Sequence, residues 1–210
     1  MPQVALTDLI AAARTGETLI SFPTDTVPAL AARPDRAALI FVAKQRSQTK
    51  PLILMGASLA DLWPYVAGSA AERAVWQAIA NQHFPGALTL VLPASDRLPP
   101  EVNPTDPTSI GIRVPDCAIA CEILAKTGPL ATTSVNLSGE PPLLTIDAIN
   151  THFPQVLTLS TTEVEAWNRL TQTQTPVSVT SSLGMPSTVA RWTGAGWEIL
   201  RQGSVVLSGS

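Results

Sequence analysis

A short cationic segment is the part of the chain whose residue types most clearly indicate a chemical role. Lys44, Arg46 and Lys50 are three of its thirteen Lys and Arg residues. The apolar pattern of residues 35–41 predicts a preceding helix, and Pro51 to Met55 is typical of a buried strand, so the cations should crowd a helix-to-strand connection. Three cations this close repel one another unless they share an anion. The alternative is an exposed helix end, where Lys and Arg complement the helix dipole.

Four further polar clusters follow apolar strands, where their side chains can converge on a cleft. Taken one at a time, each has an ordinary explanation: a turn or helix cap for Thr24 to Thr26, a strand-ending turn for Asn136 to Gly139, and a surface cation for Arg201. The clusters are Pro23 to Thr26, Ser109 to Pro115, Ala131 to Gly139, and Pro186 to Val189 with Leu200 to Gly203.

Arg113 is less easily explained, because it lies inside an apolar strand between Ile112 and Val114. An unpaired guanidinium is costly to bury, so Arg113 should contact a carboxylate or a phosphate. An internal Asp or Glu is the alternative to a ligand. Such an internal pair would count against a role of Arg113 in ligand binding.

Length and composition bound the architecture. The chain has 210 residues, which predicts a single domain over residues 1–210, and 45% of them are hydrophobic, as in a well-buried α/β core. No apolar run could span a bilayer, and no basic and apolar leader begins the chain, so we expect a cytoplasmic protein without membrane contact.

Several chemistries are poorly supported. Two histidines and no G-x-S-x-G elbow argue against a Ser-His-Asp triad. Cys117 and Cys121, four residues apart, are expected as buried thiols, and no metal site is predicted. The net charge of −3 argues against a broad surface for nucleic acid, although a local basic cleft is compatible with it.

Strands and helices alternate irregularly, which predicts a mixed, twisted sheet with packed helices instead of a regular doubly wound fold. The predicted helices are Leu6 to Arg14, Asp35 to Phe41, Ala57 to Tyr65, Ala71 to Gln82, Ala118 to Ala125 and Ile146 to His152. The predicted strands are Thr18 to Phe22, Pro51 to Met55, Leu88 to Leu92, Ile110 to Val114, Leu130 to Ser134, Val156 to Leu159, and a hairpin of Ser187 to Trp192 with Trp197 to Leu200. Thr171 to Ser182 is predicted to be a loop or an edge segment.

The chain resembles the YrdC-like family of threonylcarbamoyl-adenylate synthases. The resemblance runs from about Ser21 to Val205, and seven ordered segments are far more specific than any one of them. They are P-T-D-T, K-x-R-x-x-x-K-P-L, F-P-G-x-L-T-L-V-L, S-I-G-I-R-V-P, S-x-N-L-S-G, P-S-T-V and L-R-Q-G.

The resemblance implies a twisted open α/β sheet around a concave, basic cavity. It implies synthesis of L-threonylcarbamoyl-AMP and pyrophosphate from L-threonine, bicarbonate and ATP, for modification of tRNA. Mg²⁺ would accompany the triphosphate, and a short relative of this kind would hand its product to a separate tRNA threonylcarbamoyl transferase complex. By resemblance, Lys44, Arg46, Ser134 and Asn136 are catalytic; Arg46, Lys50, Ser109, Asn136 and Arg201 bind ATP; and Thr24, Arg113, Ser134 and Ser187 bind threonine.

The chain departs from the family pattern at three places. Where P-T-[DE]-T usually continues V-Y-G-L-G, this chain reads Val27 to Ala31 with Pro28, which fixes φ and removes a donor. Met55 stands where a histidine is common, and Leu144 where a small polar residue is common. An ATP site is therefore better supported than threonine specificity.

Two alternative functions stay open. One is a module for double-stranded RNA or ribosome maturation that uses the same basic cavity, although the acidic balance favours the enzyme. The other is a divergent paralogue that binds a nucleotide but has a changed amino-acid substrate. An internal carboxylate on Arg113 would favour this second alternative.

Overall fold

A computed structural model of the chain describes residues 2–171 and 184–207. Its strands join one mixed sheet in the order β1-β8-β2-β3-β7-β4-β6-β5-β9-β10. They are β1 (Gln3–Val4), β2 (Ile20–Phe22), β3 (Ala29–Ala32), β4 (Ile53–Met55), β5 (Leu88–Pro93), β6 (Ser109–Arg113), β7 (Leu130–Ser134), β8 (Leu157–Leu159), β9 (Thr188–Trp192) and β10 (Trp197–Arg201).

Seven α-helices are described, with short 3₁₀ turns at Pro34–Arg36, Trp63–Tyr65 and Pro100–Val102. The helix α1 ends as predicted at Gly16, which adopts the left-handed conformation (φ 72°) and donates its N–H to the carbonyl of Ala12. The helices are α1 (Leu6–Thr15), α2 (Ala38–Ala43), α3 (Leu59–Leu62), α4 (Ala70–His83), α5 (Ala118–Thr127), α6 (Ile146–His152) and α7 (Thr161–Thr171). None of the helices in the described ranges is long and apolar enough to cross a bilayer.

The mixed sheet predicted from the irregular element order is confirmed. Four strand pairs are parallel and five are antiparallel. The predicted hairpin forms between β9 and β10, where Trp197 pairs with Trp192. The prediction of a single domain over residues 1–210 stays a prediction.

The two faces of the central strands carry different side chains. Successive residues of a strand point to opposite faces, so β6 sends Ile110 and Ile112 into the apolar core and Ser109, Gly111 and Arg113 to a cavity on the other side. The neighbouring strands follow the same rule. Their cavity-facing residues are Ile53 and Met55 on β4, Thr89 and Val91 on β5, Thr132 and Ser134 on β7, and Val189 and Arg191 on β9.

Gly111 lies at the centre of this cavity face. A Cβ built on Gly111 would lie 3.2 Å from the Cγ2 of Thr89 and 3.6 Å from the Cγ1 of Ile53. The absence of a side chain therefore leaves room on the cavity floor, between the strands on either side of β6.

Three elements escaped prediction. β3 consists of alanines and one leucine, which are not strand formers, and its four residues are all buried. It forms because β2 and β7 flank it and supply antiparallel partners on both sides. β1 has only two residues, and no element was predicted for residues 161–170, which form nearly all of α7. The predicted loop or edge segment Thr171 to Ser182 lies, apart from the last residue of α7, outside the described residues.

The contrast between the two faces predicts unequal costs of truncation. Ile112→Ala should lower the free energy of unfolding by about 2–5 kcal/mol, because Ile112 is fully buried in the core. Val91→Ala, on the partly exposed cavity face of the adjacent strand, should cost clearly less. Urea unfolding of the two variants measures both values. Equal losses would contradict the division into a core face and a cavity face.

Candidate functional site

A cavity of about 400 Å³ opens on the polar face of the central sheet. Its lining carries four arginines, one from the loop between α2 and β4 and three from the strands β6, β9 and β10. A single acidic residue, Asp106, is present among the lining residues of the described chain. The arginines are Arg46, Arg113, Arg191 and Arg201. The concave basic cavity implied by the resemblance is therefore present.

Arg46 lies in the loop between α2 and β4, and backbone oxygens hold it in place. Its Nε donates to the carbonyl of Lys50 (3.1 Å) and its Nη2 to that of Pro51 (3.2 Å). Burial lowers the pKa of Arg46 from its ordinary value. In the described part of the chain no carboxylate lies within salt-bridge distance of this guanidinium, so its charge is available to an anion in the cavity.

Arg201 is placed by an irregularity in β10. The register shifts between Ile199 and Arg201, so that Arg201 pairs with the cavity-facing Val189. Its Nε donates to the carbonyl of Ser187 (3.0 Å) and its Nη2 to the hydroxyl of Ser187 (3.2 Å). The same hydroxyl lies 2.9 Å from that of Thr89. Ser187 and Arg201, both predicted site residues, thus form one hydrogen-bonded group.

Arg113 is held by an internal carboxylate. Its Nη2 donates to Oδ1 of Asp25 at 2.6 Å, and the two side chains are 5% and 15% exposed. Nη1 donates to the hydroxyl of Thr26 (2.8 Å) and Nε to the carbonyl of Gly86 (3.0 Å). Burial lowers the pKa of Arg113, and the charge of Asp25 opposes this shift. Of the two partners expected for Arg113, a ligand or an internal carboxylate, the structure shows the internal one, and the threonine-binding role of Arg113 stays a prediction.

Lys44 does not line the cavity, and the expected convergence of three cations on one anion is not seen. The side chain is fully buried, and Nζ donates to the carbonyls of Ser134 (2.5 Å) and Asn136 (2.6 Å) and to Oδ1 of Asn136 (2.9 Å). In the protonated form of Lys44 these three acceptors use all three N–H donors. Lys44 therefore fixes the end of β7, and Arg46 is the member of the cationic segment that faces the cavity.

Asn136 also faces away from the cavity, contrary to the expectation that it shares a face with Ser134. Its Oδ1 accepts from the hydroxyl of Ser134 at 2.6 Å, and its Nδ2 donates to the carbonyls of Leu137 and Glu140. The alternation of faces stops because β7 ends at Ser134. Ser134 lines the cavity and Asn136 supports it from behind.

Two more predicted residues lie outside the lining of the cavity. Thr24 is buried in a turn, where its hydroxyl donates to the carbonyl of Val27 (2.7 Å) and accepts from the N–H of Thr26 (3.1 Å). The structure therefore shows the turn that is the ordinary explanation for this segment. Thr26, and not Thr24, lines the cavity. Lys50 is exposed, and its backbone carbonyl holds Arg46.

Ser109 lines the cavity beside Asp106, an acidic residue that no sequence pattern indicated as a site residue. Its hydroxyl donates to Oδ2 of Asp106 (2.7 Å) and accepts from Nδ2 of Asn103 (3.3 Å). Hydrogen bonds from Thr108 and then Ser109 lower the pKa of the Asp106 carboxyl. Because the proton of Ser109 is already donated, this hydroxyl can offer a ligand only its remaining acceptor capacity.

Several polar lining residues were not predicted from the sequence, among them Thr26, Thr89, Asp106 and Arg191. Thr26 follows the predicted Thr24 by two positions, and Thr89 and Arg191 alternate with core residues of their strands. That period of two would have identified Thr89 and Arg191 once the cavity face was known. Asp106 lies in a loop, and the sequence contains no signal for it.

The described residues contain no group of three His, Cys, Asp or Glu side chains that could hold a metal ion. Cys117 and Cys121 are unbridged and partly buried, and burial raises the pKa of the Cys117 thiol to about 11. A magnesium ion would consequently have to be held mainly by the oxygens of a bound triphosphate and by water.

Comparison with known proteins identifies the family. The Sua5_yciO_yrdC family model, described as "Telomere recombination", matches residues 12–203. The chain belongs to the Sua5/YciO/YrdC family.

Relatives and a solved structure agree with this assignment. A Chromohalobacter salexigens protein named threonylcarbamoyl-AMP synthase is 32% identical over 158 residues, which are 73% of this chain and 83% of that protein. A rat protein of the same name is 32% identical over 156 residues, or 72% of this chain and 53% of its own length. The crystal structure of P. abyssi Sua5 complexed with L-threonine superposes with a TM-score of 0.76 at 26% identity, covering 96% of this chain and 55% of that one.

The chain thus spans about half the length of the rat relative and of P. abyssi Sua5. Two of its departures from the family pattern line the cavity, namely Pro28 and Met55. Pro28 precedes β3, so its missing N–H removes no hydrogen bond from the sheet. Leu144 lies elsewhere, in a small apolar groove beside Phe22 and Ile149.

The burial of Lys44 predicts a specific dependence of stability on pH. Burial, and to a smaller extent Arg46, lowers the pKa of Lys44 to about 7 from 10.5. Between these values the unfolded chain carries a proton that the folded chain lacks, so the free energy of unfolding should rise with pH by at most about 1.4 kcal/mol per pH unit. In Lys44→Met this contribution is absent.

Urea unfolding of wild type and Lys44→Met, from about pH 6 to about pH 9, measures the effect. The stability difference should shift in favour of wild type as the pH rises. Lys126→Met is the matched control, because Lys126 is exposed. A difference that does not change with pH would contradict the assignment.

Proposed function

We propose that this protein is an L-threonylcarbamoyl-AMP synthase that acts in tRNA modification. One observation carries the proposal: Arg46 and Arg201 line the cavity and have no carboxylate partner in the described residues. An anionic triphosphate suits these two arginines, and an amino acid with balanced charges would fill the part of the cavity beside Arg113. The names of the relatives and the L-threonine in the P. abyssi Sua5 structure support the same substrates.

The proposed reaction has two bond-forming steps. The amine of L-threonine combines with bicarbonate to give a carbamate and water. A carbamate oxygen then attacks the α-phosphorus of ATP, and the bond from that phosphorus to the bridging oxygen of pyrophosphate breaks. Catalysis of phosphoryl-group chemistry of this kind depends on positioning and on neutralising charge, with little demand for an imidazole.

The cavity supplies groups for both requirements. Arg46 and Arg201 would bind the phosphates, since hydrogen bonds to carbonyl and hydroxyl oxygens leave their charges uncompensated within the described chain. Ser134 would contact the reacting groups at the end of β7, with its orientation set by Asn136. Magnesium would enter as part of the Mg-ATP substrate. Ser109, Ser187 and Lys50 keep their predicted roles as proposals.

A divergent paralogue with a changed amino-acid substrate is the second candidate. It is favoured by the internal pair of Arg113 with Asp25 and by Pro28 and Met55 in the cavity wall. No observation favours the RNA-binding module, and the acidic net charge argues against it. A cytoplasmic location and transfer of the product to a separate tRNA-modifying complex stay predictions.

An activity assay distinguishes these candidates. The purified protein, incubated with ATP, bicarbonate, Mg²⁺ and L-threonine, should release pyrophosphate and form a product with the mass of threonylcarbamoyl-AMP. Omission of threonine should abolish both signals. Turnover with another amino acid but not with threonine would establish the divergent paralogue. Salt-sensitive RNA binding without turnover would establish the RNA-binding module.

The phosphate assignment predicts a loss of ATP affinity in Arg46→Ala. A charge-assisted hydrogen bond contributes on the order of 1.5–3 kcal/mol, so the dissociation constant for ATP should rise by roughly ten-fold or more. Calorimetry measures the change. Arg36→Ala, an exposed arginine outside the cavity lining, is the control and should bind ATP as wild type does. Unchanged affinity in Arg46→Ala would refute the assignment.

A further inference from the structure

The ion pair of Arg113 with Asp25 makes one part of the cavity electrically different from the rest. The guanidinium lines the cavity, and the carboxylate that touches it is itself only 15% exposed. Arg46 and Arg201 have only carbonyl and hydroxyl acceptors in the described chain. The cavity therefore has a cationic part around Arg46 and Arg201. It also has a part around Arg113 that lies within electrostatic range of Arg201 but whose own charge is balanced by Asp25.

This balance decides which ligands the Arg113 part can accept. An unpaired buried guanidinium favours any carboxylate anion, because the anion relieves an uncompensated charge. A guanidinium whose charge is already compensated gains much less from a monoanion. It can still donate hydrogen bonds, because three of its five N–H groups account for its contacts with Asp25, Thr26 and Gly86.

We propose that Asp25 is a specificity-determining residue that makes this part of the cavity select a zwitterionic α-amino acid over the corresponding 2-hydroxy acid. The inference rests on the proposed function, in which this part of the cavity takes L-threonine. At neutral pH an α-amino acid carries an ammonium and a carboxylate and has no net charge. The hydroxy acid has the same size and the same carboxylate but is a monoanion, so net charge is the main difference between the two ligands.

Selection against the monoanion has a clear purpose in the proposed reaction. Only a ligand with an amine can form the carbamate, whereas a hydroxy acid would occupy the site without reacting. The cationic part of the same cavity attracts anions of every kind. Compensation of Arg113 by Asp25 restricts this attraction to the phosphate-binding part.

The test compares two ligands and four variants. Calorimetry measures the dissociation constants of L-threonine and of 2,3-dihydroxybutanoate of matching configuration, at one ionic strength. The variants are Asp25→Asn, Asp25→Glu, Arg113→Gln and Asp116→Asn. Asp25→Asn is isosteric and keeps an oxygen that can accept from Arg113, while Asp116 is an exposed neighbouring carboxylate and serves as the control. Thermal unfolding and ATP affinity establish that each variant is folded.

Wild type, Asp25→Glu and Asp116→Asn should prefer threonine. In Asp25→Asn the preference should fall by about ten-fold, because loss of the charge that compensates Arg113 changes the binding of an anion at this guanidinium by on the order of that factor at the effective dielectric constant of a protein site. In Arg113→Gln affinity for both ligands should fall and the preference for threonine should rise, because Asp25 is then unpaired. A purely structural role would weaken both ligands alike in both variants.

Four results would overturn the inference. One is an unchanged ratio of the two dissociation constants in Asp25→Asn, and another is a shift in the same direction for Asp25→Asn and Arg113→Gln. If Asp25→Asn does not fold, an unchanged ratio in Arg113→Gln has the same force. Failure of wild type to bind threonine would overturn the proposed function together with this inference, whereas the first two results leave the proposed function intact.

Discussion

The constraint on which the structure depends is that the central strands of the sheet bury apolar side chains on one face and leave polar side chains at a cavity on the other. Beside the cavity, at β2 and β3, this second face is covered by an apolar cluster with α1 and α5. β6 shows it most clearly, because Ile110 and Ile112 enter the core while Ser109, Gly111 and Arg113 face the cavity. Neighbouring strands are hydrogen-bonded in a fixed register, and a slip by one residue would exchange the two faces. The register therefore holds the core and the functional side chains in place together, and the cavity needs no separate scaffold.

Burial of cations is the main electrostatic problem that this arrangement creates, and the chain solves it in two ways. Lys44 lies in the interior and directs its three donors to oxygens at the end of β7. Arg113 lies at the cavity wall and is compensated by the full charge of Asp25. Dipoles stabilise a buried charge without cancelling it, whereas a carboxylate cancels it. The first solution therefore suits a structural support, and the second suits a surface that a ligand will touch.

The sequence was sufficient for most elements because their apolar residues are periodic and their ends are marked by Gly, Pro or a capping residue, as at Gly16 after α1. It was insufficient for β3, whose alanines carry no strand signal and whose conformation is imposed by β2 and β7. Six of the predicted site residues line the cavity, namely Arg46, Ser109, Arg113, Ser134, Ser187 and Arg201. An internal carboxylate was one of the two partners expected for Arg113, but the sequence did not indicate which residue carries it. Asp25 lies 88 residues away along the chain, and only the tertiary fold brings it to Arg113.

The errors within the site share one physical cause, which is that a motif does not distinguish a residue that touches a ligand from one that supports such a residue. In S-x-N the two polar residues differ only by their position relative to the end of β7: Ser134 is the last residue of the strand and faces the cavity, while Asn136 has left it and binds the hydroxyl of Ser134 from behind. The cationic segment divides in the same way, with Lys44 inside and Arg46 at the cavity.

Lys44 and Asn136 also bind each other at 2.9 Å, so the inner members of two motifs distant in sequence form one buried unit. That unit joins the loop after α2 to the end of β7. The separation between Arg46 and Ser134 is therefore set by buried hydrogen bonds that no ligand contacts, and substitutions in this unit should act on the site through geometry instead of through lost ligand contacts.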